Sequence, residues 1–309
     1  MQKTLHSDQA ALPGLLTQRG GSLKPVAVLV GISALWACSW LAFKVGLRDI
    51  PAFTLAYMRF AIAIPVLAVI AWRAGLSLPR DRRTWQWLIA AGFTGFALNY
   101  LLVFWGSQFI PAGLSAVLQS TIPACTLLMS RIWLPYERVS RWGVASILSG
   151  IVGVIVIFSD QLRISSTSAL WGCVALALTA LTNAGGGIIV KRTLTGLNPI
   201  LLALLQQSIG VLVLLTVGLI SDGPPWSQHW TPTALAAVVY MALGGSVTAF
   251  LGFYWLLQRW PASKAMLYSI IMPVLTLSLG WLFLGEQVTG LTLVGSTVVI
   301  ASVALALRR

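Results

Sequence analysis

Two stretches of this chain match each other: FWGSQFIPAGLSAVLQSTIP, from Phe104 to Pro123, and FYWLLQRWPASKAMLYSIIMP, from Phe253 to Pro273. Each combines aromatics, a glutamine, a helix-opening proline (Pro111, Pro261) and a second proline twelve residues on (Pro123, Pro273). In so apolar a chain, proline-interrupted hydrophobic segments at matching positions of two halves point to the substrate site of a transporter. The expectation is a duplicated membrane carrier.

Composition excludes most other classes. Of 309 residues, 58% are hydrophobic and only 9% charged, whereas soluble domains carry about a quarter charged residues. The net charge of +13 does not describe a nucleic-acid surface. Its lysines and arginines occupy short breaks between apolar runs and form no basic face with interleaved aromatics. Cys38, Cys125 and Cys173 lie singly inside apolar runs, without metal-ligand spacing or a disulfide framework.

Ten apolar runs have the ~20-residue length that crosses a hydrocarbon core: about 26–46, 52–73, 85–106, 111–134, 142–159, 168–190, 199–220, 233–257, 261–284 and 289–307. The fold expected is all-α and integral to the membrane. Residues 1–25 form a polar cytoplasmic tail lacking the pattern of a secretory signal. Orientation follows from basic residues. With the amino terminus inside, 16 lysines and arginines fall on the cytoplasmic side and 3 (Lys44, Arg48, Arg163) outside, with Arg59 inside a run. Both termini are then cytoplasmic.

The duplication extends beyond the opening pair. Pro51 aligns with Pro199, Pro111 with Pro261 and Glu137 with Glu286, at offsets of 148, 150 and 149. Units of residues 26–160 and 161–309 each hold five helices. Since five is odd, the second unit is inserted upside down relative to the first, a geometry suited to alternating access.

The chemistry within the runs is restricted. All seven acidic residues (Asp8, Asp49, Asp81, Asp160, Asp222, Glu137, Glu286) and both histidines (His6, His229) fall in the tail or at helix ends. That argues against a carboxylate proton relay or ion cage. It also leaves no Ser/His, paired-Asp or metal-ligand constellation for an intramembrane enzyme. Neither cofactor nor metal is expected.

The run ALW at 34–36 with Lys44 eight residues later, YMRF at 57–60, the proline-led fourth and ninth helices, and LGEQVT at 284–289 resemble the EamA-type drug/metabolite transporters over residues 26–307. The resemblance implies a multi-pass bacterial inner-membrane carrier of two five-helix repeats. It also implies a central cavity lined by helices 1, 3, 4, 6, 8 and 9, and substrates that are amino acids or related metabolites, often moved outward. The first repeat departs from the motif, reading LPYERV at 134–139, and Gln207 stands where the first repeat has Arg59.

On those helices the candidate substrate-binding residues are Trp40, Asn99, Tyr100, Gln119, Asn183, Tyr254, Lys264 and Tyr268. Trp36 joins Trp40 as a possible aromatic wall, and Ser115 lies one turn before Gln119. Lys264 is placed either to snorkel to the inner surface or to meet a substrate carboxylate. Pro123 and Pro273 are the candidate hinges, ~18 Å into their helices at 1.5 Å per residue. Arg59 is expected to tie helix ends together rather than to face the cavity. The glycines at 185–187 and 244–245 are expected to let helices approach closely. Glu137 and Glu286 are expected to shape surface turns before the N-caps Ser140 and Thr289. A membrane scaffold and a channel are the alternative readings.

Overall fold

A computed structural model describes residues 23–110, 112–137, 140–159, 162, 166–284 and 289–307. Among the described residues there are ten helices: α1 (Leu23–Gly46), α2 (Ala52–Arg73), α3 (Arg82–Gly106), α4 in two pieces (Ala112–Gln119 and Ile122–Trp133), α5 (Arg141–Ile157), α6 (Thr167–Thr193), α7 (Pro199–Ser221), α8 (Pro232–Arg259), α9 in two pieces (Ala262–Ala265 and Tyr268–Leu284) and α10 (Gly290–Leu307). Eight are long and apolar enough to cross a membrane. The other two are α4, which is broken, and α5, an apolar helix of 17 residues. Large side chains such as Trp72, Ile132, Ile220 and Phe283 stand exposed on the outside of the bundle, where only lipid makes such a surface favourable.

Polar side chains fix where the helices begin. Asp81, Ser140, Ser166, Asn198 and Thr231 each accept a hydrogen bond from a first-turn N–H of α3, α5, α6, α7 and α8, satisfying a donor that the helix leaves unpaired. Thr289 does the same for Thr292 at the start of α10. The N-caps expected at Ser140 and Thr289 are therefore present.

The helices form two five-helix halves that mirror each other in their contacts. α2 packs on α7 and α5 on α10, each against its own counterpart, while α1 packs on α8 and α9 as α6 packs on α3 and α4. Small residues permit the tightest of these contacts. A Cβ on Gly186 of α6 would lie 2.8 Å from the Cα of Gly95 in α3, and one on Gly295 of α10 would lie 2.6 Å from the carbonyl oxygen of Gly153 in α5. The close approach expected of the 185–187 run is thus made at Gly186. Each half also carries a π-helical turn, Phe93–Leu98 in α3 and Met241–Thr248 in α8. These begin 148 positions apart, the same offset that aligns Pro51 with Pro199.

The proline positions are less symmetric than the sequence pattern. α4 stops at Gln119 and restarts at Ile122, so Pro123 occupies the first turn of a new piece and not a mid-helix kink. Proline brings no N–H and favours that position. The hydroxyls of Ser120 and Thr121 bond back to the carbonyls of Val117 and Leu118. In α9 the interruption falls earlier, at Met266–Leu267, where the Ser269 hydroxyl bonds the Met266 carbonyl, and Pro273 lies inside the continuing helix. Pro111 lies outside the described residues.

Candidate functional site

The two halves enclose a cavity of about 110 Å³. With ~10–15 Å³ by this measure enough to hold one water, it has room for a small solute. Its walls come from α1, α3, α4, α6, α8 and α9, the helices that the family resemblance implies, and also from α2 and α7. Trp40, Asn99, Tyr100, Gln119, Asn183, Tyr254 and Tyr268 all line it.

Most of the wall is aromatic, and the rings brace one another. The Trp36 ring lies 4.4 Å from that of Tyr268 and 5.9 Å from that of Phe253, with Phe253 and Tyr268 edge to face at 5.7 Å. Phe43 and Phe104 meet at 5.0 Å, and Phe60 stands edge to face with Tyr100 at 5.1 Å. Rings packed at such centroid distances attract mildly and hold few rotamers, so the wall is preorganised. The phenylalanines at 43, 96, 104, 250 and 253 were not singled out from sequence, because phenylalanine in an apolar run faces lipid or core as readily as a cavity.

The polar groups divide into those already engaged and those that are not. Asn99 donates to the Thr179 carbonyl at 2.9 Å and to Thr182 at 3.3 Å, fastening α3 to α6. The Tyr268 hydroxyl donates to Asn183 Oδ1 at 3.3 Å, joining α9 to α6. The π-helical turn of α8 turns two carbonyls toward other helices: Gly245 accepts from Trp36 Nε1 at 3.0 Å and Ser246 from Gln207 Nε2 at 2.8 Å. A π turn frees such groups from the regular ladder. Gln206 lines the cavity, yet its buried Nε2 has no hydrogen-bond partner among the described residues, and neither has the Oε1 of Gln207.

Arg59 and Lys264 depart from expectation in opposite directions. Arg59 does not tie helix ends together. It is 7% exposed and lines the cavity, with Nε donating to Ser246 Oγ at 2.9 Å and one terminal nitrogen 3.5 Å from the Tyr100 hydroxyl. Its guanidinium carbon lies 4.8 Å from the centre of the Phe60 ring and 5.4 Å from that of Tyr100. A cation at this depth costs about 2.5–3.5 kcal/mol on insertion scales, and the bonds and rings offset part of that. Lys264 is not among the cavity residues. Its Nζ lies 5.1 Å from the centre of the Trp260 ring, because position 264 falls in the short first piece of α9, close to the bundle's end.

At that same end a buried ion pair replaces the surface turn expected of Glu137. The Glu137 side chain is 5% exposed, lies 3.7 Å from Lys191 Nζ and accepts from the Ala262 N–H at 2.9 Å. Lys191 also donates to the carbonyls of Leu257 and Trp260. One cluster thereby binds the turn after α4 to the ends of α6 and α8 and the start of α9. Burial pushes the Glu137 carboxyl above its ordinary value, while the Ala262 N–H and Lys191 oppose the rise. The counterpart Glu286, with most of the LGEQVT motif, lies outside the described residues.

The EamA-like transporter family matches this chain twice, at residues 23–159 and at 170–308. The chain belongs to that family. Several proteins resemble the chain over most of their length and its own. The uncharacterized transporter YoaV of Bacillus subtilis is 26% identical over 86% of this chain and 91% of its own length. A probable terminal-alkyne amino-acid exporter of Streptantibioticus cattleyicolor is 27% identical over 93% and 94%. The uncharacterized inner membrane transporter YedA of Escherichia coli K12 is 24% identical over 90% and 88%. One solved crystal structure superposes with a TM-score of 0.77 over 92% of this chain and 96% of its own, at 20% identity, and so shares the fold. As an EamA-like protein the chain is a multi-pass membrane transporter, in a family of carriers and not of enzymes.

Proposed function

We propose that this chain is an alternating-access carrier that exports small metabolites from the cytoplasm. Amino acids are the first class, with aromatic and other hydrophobic ones preferred. The observation that carries this reading is the cavity itself: an aromatic-walled chamber of small volume, held between two inverted halves. Trp36, Trp40, Tyr254 and Tyr268 would pack on an apolar side chain and present ring faces to an ammonium group. Gln119, Asn183 and Tyr100 would supply hydrogen bonds. Two relatives support the reading by name, one as a probable amino-acid exporter and one as an inner membrane transporter.

The alternation of helices gathers Arg73, Arg82, Arg131, Arg141, Lys191, Arg192 and Arg259 at one end of the bundle and leaves Lys44 and Arg48 at the other. We assign the basic end to the cytoplasm. The Glu137–Lys191 cluster is then on the cytoplasmic side. Purified protein in liposomes, loaded in turn with each of the twenty amino acids, should move phenylalanine, tyrosine, tryptophan or leucine faster than lysine or aspartate. Equal permeability to all of them, or to none, would overturn the substrate assignment.

A further inference from the structure

We infer that Arg59 forms an anion subsite that holds the carboxylate of the transported molecule, so that a carboxylate is required for transport. This deepens the proposed function and rests on the cavity being the substrate site. A guanidinium carries five N–H donors. In Arg59, Nε is used by Ser246 and one terminal nitrogen reaches the Tyr100 hydroxyl at the limit of hydrogen-bond length, and no further hydrogen bond from Arg59 is made among the described residues. Gln206 of α7, 2% exposed, stands in the same wall, but its Nε2 is itself fully buried and meets no acceptor among the described residues. The donors offered to the chamber are therefore the unused N–H groups of the Arg59 guanidinium.

No protein carboxylate among the described residues fills that role. Asp49 is taken by Thr231, Asp81 by Thr84, Asp222 by Thr54 and Ser221, and Glu137 by Ala262 and Lys191. Nor can Arg59 simply reach for a phospholipid headgroup. It sits seven residues into α2, ~10 Å along the axis, and the Ser246 bond with the Phe60 and Tyr100 rings holds its guanidinium inward. A planar fork of donors in a low-dielectric chamber matches a carboxylate in shape and charge. The two-sided chemistry of the wall, the guanidinium donors from α2 and aromatic faces from α1, α8 and α9, defines a solute with an acid at one end and an apolar body.

The test uses four probes of one size: phenylalanine, its carboxamide, 3-phenylpropionate and phenethylamine. Quenching of tryptophan fluorescence on the wild-type protein in detergent reports binding, since Trp36 and Trp40 line the chamber, and competition with phenylalanine flux in liposomes reports transport. Phenylalanine and 3-phenylpropionate should bind and compete, and the carboxamide and the amine should be at least tenfold weaker. Arg59→Gln should lower flux at low substrate more than tenfold, with Arg59→Lys recovering part of it. Because Arg59→Gln could also disturb packing through Ser246, the wild-type probe series decides by itself. The inference is overturned if the amide or amine matches the acid, or if no carboxylate binds. Binding of 3-phenylpropionate with no flux of any amino acid would uphold the subsite and reject the amino-acid substrate. Amino-acid flux that ignores the carboxylate would do the reverse.

Discussion

Gly186 shows how much of this chamber depends on single atoms. A Cβ there would meet the Gly95 backbone at 2.8 Å, and backbone cannot yield as a flexible side-chain end can. Gly186→Val should overpack the α3–α6 contact, a fault that costs about 1–3 kcal/mol or more, and the purified variant should melt at lower temperature than the wild type. An unchanged melting temperature would mean that the two helices separate without cost. The Tyr268 hydroxyl is a milder case: Tyr268→Phe removes the bond to Asn183, worth about 1 kcal/mol, and flux at low substrate should fall several-fold at equal protein in the membrane. At this scale the sequence was informative where polarity is rare. Asn99, Gln119, Asn183, Tyr100, Tyr254 and Tyr268 stand out against an apolar background, and they reach the cavity. Arg59 is equally conspicuous, but the family resemblance leaves helix 2 out of the cavity wall and so points it to a structural role, and the rotation of α2 about its own axis, which turns Arg59 inward, is something no apolar run reveals. Gln206 was hidden beside Gln207 for the same reason.

Among the elements, the broken α4 and the Glu137 cluster are the parts that we propose move during alternation. At the break the Ser120 hydroxyl takes the Val117 carbonyl, and the Leu118 carbonyl accepts from both the N–H and the hydroxyl of Thr121, which offsets part of the loss of regular helix bonds. Pro123→Ala restores an N–H and with it a continuous helix, so it should lower maximal flux more than apparent affinity. A variant with wild-type maximal flux would show the break to be mere packing. The proline spacing announced both interrupted helices, but it could not place the interruption in α9. There the chain breaks at Met266–Leu267, six residues before Pro273, where the Ser269 hydroxyl takes the Met266 carbonyl.

The ion pair makes a prediction about pH whose sign follows from burial. In the arrangement seen here Glu137 has a raised pKa, chiefly through desolvation. If separation of α9 from the turn after α4 hydrates the carboxyl, its pKa falls back to the ordinary ~4.3. Between those two values the closed cluster binds more protons than the open one, so acidification through that window favours closure and a rise in pH favours opening. For a cysteine at Met272, facing the cavity, the rate of labelling from the basic end, divided by that of a loop cysteine at position 80 at the same pH to remove the thiol's own titration, should fall as pH falls through the window. Glu137→Gln should flatten that dependence, and a slope of opposite sign would contradict the account.

At the scale of the whole molecule, the helix count and the inversion were legible because lipid imposes them. A run must be long enough to cross, and an odd number of crossings must turn the second unit over. The mirrored contacts, α2 on α7 and α5 on α10, are the physical form of that arithmetic. What no linear reading supplied is the pair of π turns, Phe93–Leu98 in α3 and Met241–Thr248 in α8. Orientation is tested by placing a single cysteine at position 80, between α2 and α3: it should react with an impermeant reagent from the cytoplasmic face alone. The described acidic residues all lie outside the chamber, so flux should also run down a substrate gradient with no proton or sodium gradient imposed.

The central claim is that one cavity is exposed alternately to the two sides, which neither a channel nor a scaffold can do. Counterflow tests it most directly. Liposomes holding the purified protein are loaded with unlabelled phenylalanine and diluted into a trace of the labelled compound. The account predicts saturable, transient accumulation of label above its external concentration, driven by the outward gradient. Label that merely equilibrates, at a rate linear in concentration and indifferent to the internal load, would contradict it.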